Sequence, residues 1–430
     1  MPSSKQYNVN ADTCRWAIFA ALAAAYFLVY FHRLSLSVVA DTLVEEFATS
    51  AGVIGLLGSV YFYCYAVMQL PAGLLADSVG PRKTVAFSLM IAALGSVLFG
   101  FSPNLETAFI GRILVGFGAA MVFIPTMKIL SQWFRPREFA FMAGILNAVG
   151  GVGVMAATWV LAVMTMHLGW RVSFEIIGGV TLVVVLANWL IVRDRPESAG
   201  LPPLIAETGA AAAAGPKISL IQGVRQVLSN RYFWPVALWF FFDCGIFFGF
   251  GALWSGPYLM QVYGFSREET GALLSMIAWG MIIGSPLLGA ASDKWLKSRK
   301  KPFILCAAGL MVVLLALYLH SGFSKPALYL IFFMFSVCSS AIVVIGFTIT
   351  KELFPVAIAG TSVGMVNLFP FLGGAVYMPL LGRILDAYAG MKTGADAMEG
   401  YSTMLMFLLV SAGAALVCAL FMKETMPPDK

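Results

Sequence analysis

Apolar runs of about twenty residues recur along the chain, separated by short polar stretches that carry most of its charge. A helix that crosses a bilayer needs about 20 apolar residues. On that rule twelve spans are predicted: Trp16–Val39, Val53–Ala72, Thr84–Phe101, Leu105–Leu130, Phe139–Met164, Val172–Val192, Phe233–Met260, Gly271–Ala291, Phe303–His320, Leu328–Thr350, Thr361–Leu385 and Thr403–Met422. The fifth is the most pliable of them, because it holds Gly150, Gly151 and Gly153. Gly245, Gly249, Gly251 and Gly256 make the seventh easy to bend, as a gating helix would be.

Composition agrees with this pattern. Of 430 residues, 60% are hydrophobic and 11% charged, against about 25% charged in a soluble protein. The chain is therefore read as a polytopic membrane protein whose surroundings are the lipid bilayer. Its net charge of +6 lies in short loops. No basic patch with interleaved aromatics points to nucleic acid. The six cysteines have neither metal-ligand spacing nor the pattern of a secreted disulfide framework. The polar first fifteen residues do not read as a removable signal peptide.

Lys and Arg set the expected orientation. With the N-terminus inside, nineteen basic residues fall in inner segments, among them Arg82, Lys83, Arg135, Arg137, Arg193, Arg195 and Lys294 to Lys301. Five fall outside: Arg171, Arg267, Lys325, Arg383 and Lys392. Arg33, Arg112 and Lys128 remain within spans. The bias predicts that both termini are cytoplasmic.

The most distinctive polar stretch runs from Gly73 to Lys83, G-L-L-A-D-S-V-G-P-R-K, between the second and third spans. Gly73 permits close helix approach, Gly80 and Pro81 force a turn, and Arg82 and Lys83 hold the loop at the inner face. A weaker copy lies 216 residues on, at Gly289 and Asp293 with Lys294, Arg299 and Lys300. Gly144-Ile-Leu-Asn147 is likewise echoed by Gly364-Met-Val-Asn367. The echoes predict two pseudo-symmetric six-helix halves around a central cavity, residues 1–192 and 232–430. Residues 193–231 join them. Pro196, Pro202, Pro203 and Ala210–Ala214 make the first part a flexible linker. Ile218, Ile221, Val224 and Leu228 have the spacing of an amphipathic helix on the inner surface.

The Gly73–Lys83 stretch resembles the loop signature of the major facilitator superfamily, G-x-L-x-D-x-x-G-x-R-K. The run Tyr30–Phe47, followed by Gln69-Leu-Pro-Ala-Gly-Leu-Leu-Ala-Asp77, resembles the superfamily's anion-carrying branches, the anion:cation symporters and the organophosphate antiporters. The resemblance implies a twelve-helix carrier, not an enzyme, that works by alternating access. It also places a substrate anion at Arg33. Arg112, in G-R-I-L-V-G-F-G, resembles the superfamily's second motif, which implies a part in coupling. A structural arginine capping carbonyls is the other reading. Two positions depart from the sugar-acid pattern: His32 stands where Asp is frequent, and Ala119 where Glu is frequent.

Ionisable residues inside spans are costly and mark function. Arg33 offers a fork for carboxylate or phosphate. Lys128 follows Pro125 and either snorkels to the inner face or faces the cavity. Asp243, in W-F-F-F-D-C-G-I-F-F-G, is an isolated carboxylate suited to a proton or cation, or to pairing with an arginine. His32 is a second coupling candidate. Tyr30, Asn147, Tyr258, Asn367 and Tyr377 are polar residues within spans and complete the candidate substrate site. Gly73, Asp77, Gly80, Arg82, Lys83, Gly289 and Asp293 form the expected inner latch.

The function expected is secondary transport of a small organic anion (a carboxylate, sugar acid or phosphate ester) by a monomer in a bacterial inner membrane. A proton is the expected coupling ion, and no other cofactor or metal is expected. Alternatives are a proton-coupled efflux carrier for amphipathic compounds and a carrier of amino acids or short peptides. A membrane sensor is set aside because no soluble signalling domain is recognised, and an enzyme because no paired carboxylates, metal cluster or activated nucleophile occur.

Overall fold

The computed structural model describes residues 4–202, 220–320, 322–339, 342–388 and 395–426. The α-helices are α1 (Ser4–Leu34), α2 (Ala40–Glu46), α3 (Ala51–Ser78), α4 (Pro81–Gly100), α5 (Leu105–Ala120), α6 (Phe123–Trp133), α7 (Pro136–Met155), α8 (Leu161–Ile191), α9 (Leu220–Ser229), α10 (Phe233–Ile246), α11 (Ser255–Tyr263), α12 (Arg267–Ala290), α13 (Lys300–Leu319), α14 (Lys325–Cys338), α15 (Val343–Glu352), α16 (Val356–Val366), α17 (Leu368–Asp386) and α18 (Ala395–Phe421). π-helical turns at Ala156–Val160, Phe247–Trp254 and Ala291–Trp295 join or extend them. No strand is present among the described residues.

Ten helical stretches among the described residues are long and apolar enough to cross a membrane. One of them, Phe141–Ile191, has 51 residues, or about 77 Å at 1.5 Å per residue. Gly169 interrupts it at φ 76° and ψ 163°, outside the helical region. Lys325–Cys338 is a shorter apolar helix.

Several boundaries differ from the sequence reading, each for a local reason. The first span was expected to run to Val39, but α1 ends at Leu34. Both the backbone N–H and the hydroxyl of Ser37 bond to the Leu34 carbonyl, a side-chain competition that closes a turn. The fourth span divides into α5 and α6 at Met121 and Val122, because Pro125 has no N–H for the Met121 carbonyl. The eleventh divides at Asn367, where Pro370 leaves the Val366 carbonyl without its helical donor. In the seventh, Gly249 and Gly251 lie in a π segment. The linker residues 203–219, including Lys217 and Ile218, lie outside the described residues. Beyond them α9 packs on α16, with Gly223 facing Thr361 and Ile358.

The described chain divides into two compact units. One comprises residues 4–33, 63–154 and 167–202. Its centre is the α4–α5 pair, which small residues bring into backbone contact. A Cβ on Gly118 would lie 2.4 Å from the Ser88 carbonyl oxygen, and one on Gly95 2.7 Å from that of Gly111. Asn188 of α8 donates to the Ala21 carbonyl of α1 at 3.0 Å.

The other unit comprises residues 34–62, 155–166 and those from 220 onward. It therefore includes the first turns of α3 and the α1–α3 connection, packed on helices from the second half of the sequence. Glycines again set the spacing. A Cβ on Gly55 would stand 2.4 Å from the Met378 carbonyl oxygen, one on Gly382 2.5 Å from that of Ala51, and one on Gly256 2.1 Å from that of Ser37. Asp386 seals this contact: its two oxygens accept from the N–H groups of Ala51 at 2.7 Å and Gly52 at 2.8 Å. A carboxylate there satisfies donors that the start of α3 leaves open and meets the positive end of its dipole.

Candidate functional site

The last turn of α1 carries Tyr30, His32 and Arg33. Ending the helix at Leu34 puts Arg33 beside the break, yet the residue is only 8% exposed. Its guanidinium lies 4.6 Å from the Tyr30 ring centre and 5.0 Å from that of Tyr65 on α3. Two aryl faces hold the cation in place. Behind Tyr30, α7 approaches closely: a Cβ on Gly150 would lie 2.9 Å from the Tyr30 ring, and one on Gly153 2.4 Å from the Phe27 carbonyl oxygen. Tyr26 continues the aromatic wall, edge-on to Tyr30 at 5.1 Å and stacked on Phe123 at 5.5 Å. Asn147 is half-buried and lies one turn before Gly150 on the same face of α7.

Arg112 is buried on α5, and its Nη1 donates to the His32 carbonyl at 3.2 Å. That carbonyl lies in the last turn of α1, where helical acceptors are left open and a cation suits the dipole. Arg112 thus fixes the backbone immediately before Arg33. His32 is buried and packs edge-on to Phe31. Lys128 is half-buried on α6, with its amine 2.8 Å from the Ala76 carbonyl oxygen in the last turn of α3. It is placed with the Gly73–Lys83 loop.

That loop is clamped to the end of α8. Gly80 has φ 100°, a conformation that favours glycine. The Arg82 N–H donates to Asp194 Oδ1 at 2.7 Å, and the Arg82 guanidinium donates to the Trp189 carbonyl while lying 5.0 Å from the Trp189 ring. Lys83 is exposed. The side chains of Gly73 and Asp77 lie outside the described residues. Asp194 was missed by the sequence reading. Its signal is an acidic residue between Arg193 and Arg195 where the sixth span ends, poised for a helix N-terminus.

The second copy of the loop is pinned otherwise. Gly289 has open space around it. Asp293 pairs with Arg299, whose Nη2 also lies 3.4 Å from Glu352 Oε1. Glu424, beyond α18, accepts from the Arg299 N–H at 2.9 Å and from the Ser298 hydroxyl. Partial burial raises the Glu424 carboxyl, but these bonds and others from the Met426 and Lys300 N–H groups outweigh it and hold it below its ordinary value.

Asp243, on α10, is fully buried and turned toward α14, with Oδ2 accepting from the Ser339 hydroxyl at 2.9 Å. Oδ1 has no hydrogen-bond partner among the described residues, and neither has the buried indole N–H of Trp239 one turn earlier. Cys338 and Cys306 adjoin it from α14 and α13. Tyr377 packs in a notch of α10, its ring 2.7 Å from a Cβ placed on Gly245. Tyr258 is buried among Phe250, Tyr263 and Tyr401, with ring centres 5.3–5.7 Å away. Asn367 is half-buried between α16 and α17. Arg33, Tyr30 and Tyr65 thus form one cluster, with Arg112 and His32 directly behind it. Asp243, Tyr258, Asn367 and Tyr377 occupy separate positions in the other unit.

A further group near Tyr258 was not foreseen. Tyr401 donates to Gln261 at 3.1 Å, Gln261 donates to Asp41 at 2.9 Å, and Arg267 donates to Thr42 at 2.6 Å. These bonds tie α2 to α11, α12 and α18.

A family model matches the chain over residues 22–378 and 246–430, that of the Major Facilitator Superfamily. The chain belongs to this superfamily, and it is an integral multi-pass membrane protein of a transporter family, not an enzyme. Among its relatives, the probable galactarate/D-glucarate transporter GarP of Escherichia coli K12 is 26% identical, over 91% of this chain and 90% of its own length. The membrane sensor protein UhpC of Salmonella typhimurium is 25% identical over 95% of each chain. The glycerol-3-phosphate transporter of Bacillus subtilis is 25% identical over 87% of each. In fold, the chain is similar to a solved bacterial homologue of the human lysosomal transporter Spinster. The TM-score is 0.77 and the identity 18%, covering 95% of this chain and 98% of the other. The UhpC match removes one step of the sequence argument. A protein named a membrane sensor thus matches this chain over 95% of its own length.

Proposed function

We propose that the protein is a secondary active transporter that moves a small organic anion across a bacterial inner membrane by alternating access. The observation that carries this reading is Arg33: a buried guanidinium held between two tyrosine faces at the end of α1. A planar cation so placed suits a carboxylate or phosphate. Relatives named for sugar acids and for glycerol 3-phosphate support that substrate class. Tyr30 flanks Arg33, Asn147 is the polar candidate on the neighbouring α7, and Arg112 positions Arg33 through the His32 carbonyl.

On this reading twelve crossings form two six-helix halves with cytoplasmic termini. The 51-residue stretch crosses twice, and α14 with α15 supplies one crossing that length alone does not register. The protein works as a monomer. Asp243 is the coupling site, where the unused Oδ1 receives a proton or cation. The Gly73–Lys83 loop and the Asp293–Arg299–Glu352 group are inner latches. Asp386 on the start of α3 is the outer one.

The test is uptake of radiolabelled sugar acids and phosphate esters into proteoliposomes. Uptake that requires Arg33 supports the reading. The UhpC likeness favours a second one, a sensor of the same anions. In that case ligands stabilise the purified protein against heat through Arg33, but no uptake follows.

A further inference from the structure

At the start of α10 and the end of α18, two cations converge on one aromatic ring. The Arg231 guanidinium lies 4.7 Å from the Tyr232 ring centre, and the Lys423 amine lies 5.0 Å from it. Arg231 also donates to the Tyr232 hydroxyl at 2.7 Å. Among the described residues, neither cation forms an ion pair. Two like charges gathered on one ring, with neither paired to a carboxylate among the described residues, suit an anion.

Below the ring runs a groove of about 510 Å³, walled by Trp234 and Leu238 of α10 and by Val417 and Phe421 of α18. Each pair is spaced i, i+4, so the two ridges run along the helices and the groove follows the span. Phe421 is 71% exposed and Val417 52%. The indole N–H of Trp234 is fixed on the Leu228 carbonyl at 3.0 Å, so that wall is preformed. A charged rim above an apolar slot parallel to membrane-spanning helices matches one molecule: a phosphate head with an acyl chain.

We propose that this groove is a binding site for an anionic phospholipid, with the phosphodiester held by Arg231 and Lys423 and one chain lying along Trp234, Leu238, Val417 and Phe421. A similar apolar groove between α4 and α8, lined by Phe87, Leu182 and Trp189, lacks this rim. There Arg82 is already engaged with the Trp189 carbonyl.

The test is native mass spectrometry of the detergent-solubilised full chain titrated with phosphatidylglycerol or phosphatidylcholine. The wild type is expected to retain at least one phosphatidylglycerol, about tenfold more tightly than phosphatidylcholine. An Arg231→Gln/Lys423→Gln variant is expected to lose that preference. Val417→Trp, which fills the slot and leaves both charges, is expected to lose the same lipid. Both are checked for folding by gel filtration and melting temperature. Equal retention of the two lipids by the wild type overturns the proposal, as does unchanged phosphatidylglycerol retention in both variants. Inorganic phosphate that displaces the lipid, or stabilises the protein equally, marks a free-anion site and also overturns it.

Discussion

At the scale of single residues, Arg33 and Asp41 show how surroundings decide what a charge does. The Arg33 guanidinium stacks between two aryl faces, which position a cation by their quadrupoles. Lysine carries the same charge but not the planar fork that stacks on two rings and bonds an anion at two points. Arg33→Lys should therefore lower uptake at least tenfold, and Arg33→Ala should abolish it. The melting temperature of the unliganded protein should change little in either; uptake and melting measured on the same preparations separate the two effects. Asp41 lies outside the membrane spans, on α2. Burial pushes its carboxyl up and Glu45 adds to this, while the Gln261 hydrogen bond and Arg267 oppose; the result is about 6. A raised carboxyl binds its proton more tightly in the folded chain than in the unfolded one. Its contribution to stability is therefore greatest at low pH and falls as pH rises from about 4 to about 6. Asp41→Asn keeps the acceptor for Gln261 and removes the titration. A series of melts from pH 4.5 to 8 should show the parent losing more stability than the variant up to about pH 6, with a constant gap above it. Parallel curves would sink this account.

At the scale of elements, two glycines test whether local geometry is understood. Gly80 combines φ 100° with an Asp194 oxygen 3.0 Å from any added Cβ. Gly80→Ala should lower stability by about 1–3 kcal/mol, the usual range for a strained backbone. Gly144 lies within α7 with open space around it, so Gly144→Ala should be neutral or stabilising by about 0.5–1 kcal/mol. Denaturation of the two variants side by side checks both signs. The spans were legible because bilayer thickness imposes a length and an apolar composition that few other structures share. The interruptions were less so. Pro125 and Pro370 were visible as residues, but a proline in a span also occurs without a break, as Pro71 does inside α3. Ser37 ended α1 within an apolar run because one hydroxyl reached one carbonyl, a choice of rotamer that composition does not record. At the candidate site, Arg33 and Tyr30 were legible as polar residues in an apolar run. Tyr65 beside them is one more tyrosine in an apolar run, and its role depends on α3 lying against α1, which the sequence does not record. Lys128 and Arg112 were visible as charges, while their partners are backbone carbonyls, which no sequence distinguishes.

At the scale of the whole molecule, the internal echoes point to two six-helix halves, while the contacts group the first turns of α3 with α17. The two observations describe different things: the repeat concerns ancestry and symmetry, the contacts one conformation. A carrier that alternates must have contacts at one end that form in one state and break in the other. The α3–α17 contact has the character of such a latch. It is dense because Gly55 and Gly382 let backbone meet backbone, yet its closure is fixed by one carboxylate on two N–H groups. Removing the carboxylate leaves the apolar packing intact and takes away the charge that holds the helix end. Asp386→Ala should therefore fold, and should populate a state in which Met378, now 2% exposed, meets water. With Met378→Cys as reporter in right-side-out vesicles, a membrane-impermeant maleimide added outside should label the Asp386→Ala protein several-fold faster than the Asp386 parent. The anion substrate should alter that ratio if the latch belongs to the transport cycle. Equal labelling would show that Asp386 is a static cap. Faster labelling only in inverted vesicles would reverse the orientation that the basic loops imply, and the inner and outer latches would exchange places.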